Sequence, residues 1–140
     1  MIKEEWAHWH PANKLDELYW VNLILSENNS LIIKLSSNEK DGKSIQLLFK
    51  KGVAAYRYTN ESFSLKLCWD LSDKYSNDFY NKWTFFKVRN SDYMNLFLEQ
   101  SDTYINADNL IHFAILGGDE VVDIIATEEP IFTFAKSNDK

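Results

Sequence analysis

The sequence predicts an α+β fold: a curved antiparallel sheet of six to eight strands packed on one main helix at about residues 91–101. Short runs of alternating apolar residues, separated by turn residues, predict the strands. One amphipathic segment with a capping residue at its start predicts the helix. The chain has 140 residues, which suits a single globular domain over residues 1–140.

The main helix and the strand before it lie within residues 83–101, WTFFKVRNSDYMNLFLEQS. Large apolar residues occupy both faces of 83–89, as expected for a strand covered on both sides. Ser91 is the N-cap candidate, and Asp92 favours the positive end of the helix dipole. The residues expected on one helical face are Tyr93, Leu96, Phe97 and Gln100.

The first ten residues, MIKEEWAHWH, are rich in tryptophan and histidine. His8 and His10 would share one face of a strand, and a third ligand could complete a metal site with them. Zinc spacing is absent, so we expect no metal. Instead, we expect an aromatic segment that lies over the core with both histidines solvated. Whether Trp6, Trp9 or the histidines contact a partner stays open.

Four further strands are expected in the first half of the chain. Residues 15–25 fit either a helix or a strand, and the Asn-rich loop 26–30 favours a hairpin with the alternating run 31–35. An Asp-Gly turn signal precedes a third strand at 45–50, and Lys-Lys-Gly separates it from a fourth at 53–59.

Residues 62–71 show the most regular period-2 pattern in the chain and predict another strand. Its apolar face would carry Phe63, Leu65, Leu67, Trp69 and Leu71. Cys68 falls on the more polar face and is interpreted as a structural residue, because no feature of the sequence would lower a thiol pKa there. A single cysteine excludes an intrachain disulfide, which suits a reducing compartment.

Residues 73–82 predict a loop or a short helical turn, in which Tyr75, Phe79 and Tyr80 would anchor the segment to the core. The runs LIHFAIL (110–116) and VVDIIA (121–126) flank two glycines and predict a β-hairpin. Pro130 precedes a last short strand at 131–134.

The net charge is −6 and is unevenly distributed. Between residues 90 and 135 there are nine acidic residues and no lysine or arginine. Such a field disfavours nucleic-acid phosphates and anionic membrane surfaces, and it favours a basic protein partner. The alternative is that the charge serves solubility alone.

No catalytic or cofactor motif is present: we find no phosphate-binding loop, nucleophile elbow, zinc spacing or calcium loop. We therefore expect a protein that is not an enzyme and uses no cofactor. The first residues contain no apolar signal-peptide core, and no apolar run reaches the roughly 18 residues of a spanning helix. A cytoplasmic location with no membrane association is expected.

The C-terminal half resembles a broad group of small bacterial proteins, some of them immunity proteins encoded beside polymorphic or contact-dependent toxins. The resemblance lies in WTFFKVRNSDY, the helix ending in EQS, LIHFAIL, VVDIIA and EEP, and loosely in residues 21–61. The positions that carry it are Trp83, Ser91, Tyr93, Ser101, His112, Asp123 and Pro130. The resemblance implies a non-enzymatic cytoplasmic protein that binds one toxin, and it transfers no binding residue.

The predicted function is therefore to neutralise a basic toxin domain by occlusion. The candidate partner-binding residues are Asp102, Asp108, Asp119, Glu120, Glu128 and Glu129. One alternative is a small-molecule binding domain with an aromatic pocket lined by Trp69, Trp83 and Tyr58. Another is a hydrolase that uses His112 with a nearby acid, which requires His112 in an open cleft. The partner's identity and the oligomeric state stay open.

Overall fold

The computed structural model describes residues 3–101 and 107–134. The strands are β1 (Glu5–His8), β2 (Tyr19–Glu27), β3 (Ser30–Ser37), β4 (Ile45–Phe49), β5 (Val53–Asn60), β6 (Phe85–Arg89), β7 (Ile111–Leu116), β8 (Glu120–Ala126) and β9 (Ile131–Phe134). The helices are α1 (Leu65–Lys74), α2 (Asn77–Asn81) and α3 (Asp92–Gln100). Short 3₁₀ turns lie at Glu61–Phe63 and Ala107–Asn109.

The strands form two antiparallel sheets. Sheet A has five strands in the order β1-β6-β7-β8-β5, and sheet B has four in the order β2-β3-β4-β9. The α+β class and the antiparallel pairing are confirmed. The single curved sheet of six to eight strands is wrong, because the described residues form nine strands in two sheets. Periodicity along the chain reports each strand but not the sheet to which it belongs.

The first core cluster, which we call the sandwich core, lies between the two sheets. Alternation in β3 and β4 turns every second residue inward, as expected for strands with one covered face. Its fully buried members from these two strands are Leu31, Ile33, Leu35, Ile45, Leu47 and Phe49. Sheet A contributes Phe85, Phe113, Ile115, Val122, Ile124 and Ala126.

The second core cluster, the helix-side core, lies on the opposite face of sheet A. Here Phe86, Val88 and Ala114 form one buried cluster with Leu71 of α1. Phe85 points into the sandwich core while Phe86 points into the helix-side core, and both are fully buried. The prediction of a strand covered on both faces is therefore confirmed for β6.

The predicted strand at 62–71 is wrong, because this segment forms a 3₁₀ turn followed by α1. Leu67 and Leu71 are four residues apart, so a helix brings both onto the face that packs on sheet A. On another side of the helix, Lys66 donates to Asp70 at 2.8 Å. The same residues satisfy periods of 2 and 3.6 over this short stretch, and contact with sheet A selects the helix.

The prediction of one main helix at 91–101 is only partly right. Helix α3 forms at Asp92–Gln100, and the Ser91 hydroxyl caps it by accepting from the Met94 amide. However, α1 and α2 also form, and no residue of α3 is fully buried. The expected helical face is half right, since Tyr93 and Phe97 are half-buried while Leu96 is exposed.

Both predicted hairpins are confirmed. A two-residue turn at Asn28 and Asn29 joins β2 to β3, and both asparagines have positive φ, which suits a type I′ turn. Gly117 and Gly118 lie in the turn between β7 and β8. The chain passes between the sheets at Gly52, whose φ is +79° and whose position leaves no room for a side chain beside Thr127.

The N-terminal aromatic segment contributes strand β1 to sheet A, and His8 and His10 are exposed as expected. Strand β1 pairs with β6, and both Trp6 and Trp9 are buried. The anchoring role of the aromatic residues at 73–82 is confirmed, since Tyr75 and Phe79 pack against the helix-side core. The short last strand is also confirmed as β9, which pairs with β4.

Candidate functional site

A buried serine, histidine and aspartate form a hydrogen-bonded chain on the helix side of sheet A. His112 lies on β7, Asp123 on β8, and Ser91 at the start of α3. The Ser91 Oγ lies 2.6 Å from His112 Nδ1, and His112 Nε2 lies 2.7 Å from Asp123 Oδ1. The hairpin register places the histidine and the aspartate diagonally on the same face, which allows this contact.

Arg57 and Tyr93 complete the cluster. Arg57 lies opposite Asp123 in the β5–β8 pairing, and its Nε donates to Asp123 Oδ2 at 2.9 Å. Its guanidinium stacks over the Tyr93 ring, 4.1 Å from the centroid. The Tyr93 ring meets His112 edge to face. The Arg57 guanidinium and the Tyr93 ring therefore cover the outer side of the cluster.

One assignment of protons fits all the hydrogen bonds of the cluster. An ionised Asp123 only accepts, so His112 Nε2 and Arg57 Nε both donate to it. The Met94 amide donates to Ser91 Oγ, and the serine hydroxyl can donate its proton to His112 Nδ1. A neutral imidazole thus satisfies every donor and acceptor in the chain.

The surroundings perturb two pKa values in the cluster. Burial by itself raises the pKa of Asp123, but the hydrogen bond and electrostatic attraction of His112, together with Arg57, outweigh it, and the net pKa is lowered. Burial raises the pKa of the Tyr93 hydroxyl, partly offset by Arg57. The aspartate therefore stays ionised at neutral pH.

The arrangement differs from a hydrolase triad in access and in connectivity. The exposed fractions are 3% for Ser91, 2% for His112 and 4% for Asp123. In a triad the serine bonds Nε2 and the aspartate bonds Nδ1, whereas here the two nitrogens are exchanged. The serine oxygen is also engaged as a helix cap. The hydrolase hypothesis requires His112 in an open cleft; the residue borders the groove over β1, β6 and β7, but it is itself buried.

Glu4 provides a second attachment for the start of α3 that the sequence did not reveal. One carboxylate oxygen accepts from the Asp92 amide at 2.8 Å, and the other accepts from Trp6 Nε1 at 3.2 Å. Free amides at a helix start need such acceptors. Glu4 and Ser91 together therefore attach α3 to sheet A. No local pattern around Glu4 announces this role, because its partner is 88 residues away.

The acidic residues predicted to bind a partner do not form one surface. Asp102 lies outside the described residues. Asp119 and Glu120 lie at the β7–β8 turn, whereas Asp108, Glu128 and Glu129 lie near the other end of that hairpin. Strand β8, with seven residues, separates the two groups by about 20 Å at roughly 3.4 Å per residue.

The group at the far end is largely engaged within the chain. Glu128 pairs with Lys51 at 3.7 Å, and Glu129 pairs with Lys87 at 3.3 Å while accepting from Trp9 Nε1 at 2.9 Å. Glu129 therefore holds the chain between β8 and β9 against the sandwich core. Asp119 is exposed at the opposite end, where it stays available to a partner.

Three exposed apolar side chains lie on α1 and on the turn before it, and one of them, Leu65, lies beside Asp119. We call Phe63, Leu65 and Trp69 the α1 surface, and their exposed fractions are 86%, 49% and 66%. Leu65 and Trp69 are four residues apart and so are neighbours on the helix. Leu65 and Asp119 line the same shallow depression with Asn60 and Ser62. The sequence placed these apolar residues on the buried face of a strand, so their exposure was not foreseen.

The aromatic pocket expected for a small-molecule binder is not formed by the three predicted residues. Trp69 is on the α1 surface, and Tyr58 is exposed on β5. Trp83 packs against both core clusters and donates its Nε1 to the Trp9 carbonyl at 3.0 Å. A different groove of about 560 Å³ crosses β1, β6 and β7, with Glu5, Lys87 and Arg89 among its lining residues.

The N-terminal histidines contact aromatic rings. His8 stacks on Phe79, with its Nε2 2.8 Å from the Phe79 carbonyl, and His10 lies against Trp83. Among the residues that the structure describes, no three His, Cys, Asp or Glu side chains are grouped as metal ligands would be.

No protein-family model, no curated protein and no solved structure matches this chain. In residues 3–101 and 107–134, no helix has the length and apolar character needed to cross a bilayer.

Proposed function

We propose that this chain is a non-enzymatic protein-binding domain that neutralises a basic partner, of the toxin-immunity kind, by covering part of the partner's surface. The α1 surface, with Asp119 and Glu120 at its border, is the contact site. The observation that carries this proposal is the exposure of Phe63, Leu65 and Trp69, of which Leu65 lies beside the acidic turn formed by Asp119 and Glu120.

Exposed aromatic residues of this kind are the usual anchors of protein interfaces. Trp and Tyr dominate the side chains whose truncation costs at least about 2 kcal/mol of binding energy. Large contiguous apolar patches are uncommon on monomers and mark interaction sites. Trp69 points away from the face of α1 that packs on sheet A, so a partner can cover it without unfolding the helix.

The acidic turn would favour positively charged partners and raise the rate at which they associate. Asp119 and Glu120 lie in the window without lysine or arginine, so their field is not offset by basic neighbours in sequence. Opposite charge at an interface border raises the association rate more than the affinity, and salt weakens this effect. A nuclease-like basic toxin fits such a surface, and the resemblance to immunity proteins points to the same class of partner.

The test is partner capture with matched variants. Wild-type protein, Trp69→Ala and Phe134→Ala would be immobilised, and proteins from the native organism would be captured at low and high salt. Phe134→Ala is the control because it removes an exposed aromatic side chain of sheet B, on a strand remote from α1 in the sheet order. We expect one basic protein on wild type and control, at least tenfold less on Trp69→Ala, and inhibition of that protein's activity by the wild type.

A second comparison separates charge from apolar contact. The double reversal Asp119→Lys/Glu120→Lys should lower the association rate severalfold at low salt and remove most of its salt dependence. The control Glu128→Lys alters charge at the other end of the hairpin. No specific capture by the wild type, or capture that Trp69→Ala leaves intact, would overturn the proposal.

A second candidate function is small-molecule binding, favoured by the groove over β1, β6 and β7. Its volume, about 560 Å³, falls within the range of ligand pockets. Its border carries Lys87 and Arg89, each already paired with a carboxylate. A ligand screen by thermal shift tests this candidate: a stabilising compound should lose its effect in Ile111→Trp, which would fill the groove. If the screen finds no stabilising compound, small-molecule binding is ruled out.

A further inference from the structure

The outer face of sheet B carries a transverse row of apolar side chains. Register aligns Leu25 with Ile32, Ile32 with Leu48, and Leu48 with Ile131, so one residue from each of the four strands lies in line. Leu25 is 41% exposed and Ile131 51%. Among the described residues, no helix packs on this face.

The row ends at β2, which is an edge strand. Its nine residues contain a single charge, Glu27, and no lysine or proline. Natural proteins usually protect an edge of this length with such residues. The first part of β2 is shielded by sheet A, since the Tyr19 amide donates to Thr84 Oγ1 and the Trp20 ring lies over Gly118. The second part, from Leu23 to Glu27, is open.

The β2–β3 hairpin determines which backbone groups face outward. A two-residue turn closes on a hydrogen-bonded pair, here Glu27 with Ser30. Pairs then alternate along the strands, so Leu25 is bonded to Ile32 and the intervening Ile24 and Ser26 direct their amides and carbonyls to the open edge. This edge therefore offers two donors and two acceptors.

We propose that a second copy of this chain pairs with this edge, antiparallel and centred on Leu25. In this register Ile24 bonds Ser26 of the second copy and Ser26 bonds its Ile24, which uses every outward group of the segment. The two Leu25 side chains meet directly at the two-fold axis. The apolar rows of both copies join into one row across an eight-stranded sheet.

The charges beside the row are complementary in the same register. Leu23 lies opposite Glu27 of the second copy, and Lys34 is the β3 neighbour of Leu23. Lys34 and the second copy's Glu27 are therefore two strand spacings apart, about 10 Å between backbones, on the same face. Their long side chains can approach over Leu23. The two Glu27 residues are about 14 Å apart along the strands, beyond strong repulsion at physiological salt.

This register favours a second copy of the chain over a foreign strand at the edge of β2. A foreign strand could bond the backbone groups, but a copy also supplies the matching leucine, the continued row and two Lys34–Glu27 contacts. The interface is short, so we expect a dimer that depends on protein concentration. It would leave the α1 surface free, because α1 packs on the opposite side of sheet A.

Sedimentation velocity on the full chain, at low salt and from about 10 μM to about 1 mM, tests the proposal. The mass should rise from 16.4 kDa towards twice that value. Ser26→Pro removes an outward amide while sparing the β3 ladder, and it should raise the dissociation constant at least tenfold. Ser26→Ala, which keeps the amide, should leave it unchanged.

A charge exchange tests the register itself. Glu27→Lys and Lys34→Glu should each weaken the dimer severalfold, and the double variant Glu27→Lys/Lys34→Glu should restore it. Circular dichroism checks that each variant is folded. A wild type that stays at 16.4 kDa throughout, a dimer unaffected by Ser26→Pro, or a double variant without restoration would overturn the proposal.

Discussion

The outer faces of the two sheets differ sharply, although both sheets share the sandwich core. The outer face of sheet A buries Phe86, Val88 and Ala114 beneath helices. The outer face of sheet B exposes Leu25 and Ile131. The strand sequences alone do not explain this, since both faces carry apolar residues.

The connections between the strands explain the difference. Helices α1 and α2 connect β5 to β6, and α3 connects β6 to β7. All three of these strands belong to sheet A. Strands β2, β3 and β4 of sheet B are joined by a two-residue turn and a short loop. This part of the chain therefore supplies no helix to cover sheet B, and its apolar row is left for another molecule.

The strongest test of this contrast is Phe86→Ala. Phe86 is fully buried between sheet A and the helices, and removing such a ring costs about 3–5 kcal/mol of unfolding free energy. Urea unfolding followed by circular dichroism measures the change. If the loss were below about 1 kcal/mol, the helices would not be packed on sheet A as described.

Removal of the buried imidazole should have the next largest effect. His112→Ala leaves Ser91 and Asp123 without their central partner, and unpaired buried polar groups of this kind cost about 2–4 kcal/mol in total. His8→Ala, which removes an exposed imidazole, is the matched control and should cost less. Equal losses in the two variants would argue against the buried chain as the attachment of α3.

Acid should weaken the same cluster. The pKa of Asp123 is lowered in the folded state, so near pH 4 and below the unfolded chain binds more protons than the folded one. The contribution is therefore fully present above the unfolded pKa of about 3.9 and is lost as pH falls through the folded pKa. Asp123→Asn should remove this part of the pH dependence in urea unfolding, and Asp119→Asn should retain it.

The smallest effect is expected on the outer face of sheet B. Ile131→Thr replaces a half-exposed side chain in a strand, and the unfolding free energy should change by no more than about 0.5 kcal/mol. Dilute protein should be used so that association does not contribute. A loss comparable to that of Phe86→Ala would show that this face is covered.

The sequence predicted the parts of the fold that depend on neighbouring residues. The β2–β3 and β7–β8 hairpins followed from turn residues between alternating runs, and the Ser91 cap followed from the residue type at a helix start. The error at α1 arose because Leu67 and Leu71 fit both periods. Only contact with sheet A distinguished the helix from a strand.

The candidate sites depended on contacts that no local pattern reports. The sequence named Ser91, Tyr93, His112 and Asp123 separately, but only the strand register brought them together. No pattern in the sequence pointed to Glu4. The sequence grouped the acidic residues by their position in the chain, whereas the hairpin separates Asp119 from Glu129 by the length of β8.

By itself, the sequence determined the α+β class, the antiparallel hairpins, the charge asymmetry and a capped helix at about 91–101, because each depends on residue type and short-range spacing. Only the tertiary structure decided which faces are covered, which acids are paired and which apolar residues reach solvent. Those outcomes depend on how distant segments pack, and α1 illustrates this: sheet A buries Leu71 and leaves Trp69 exposed two residues before it.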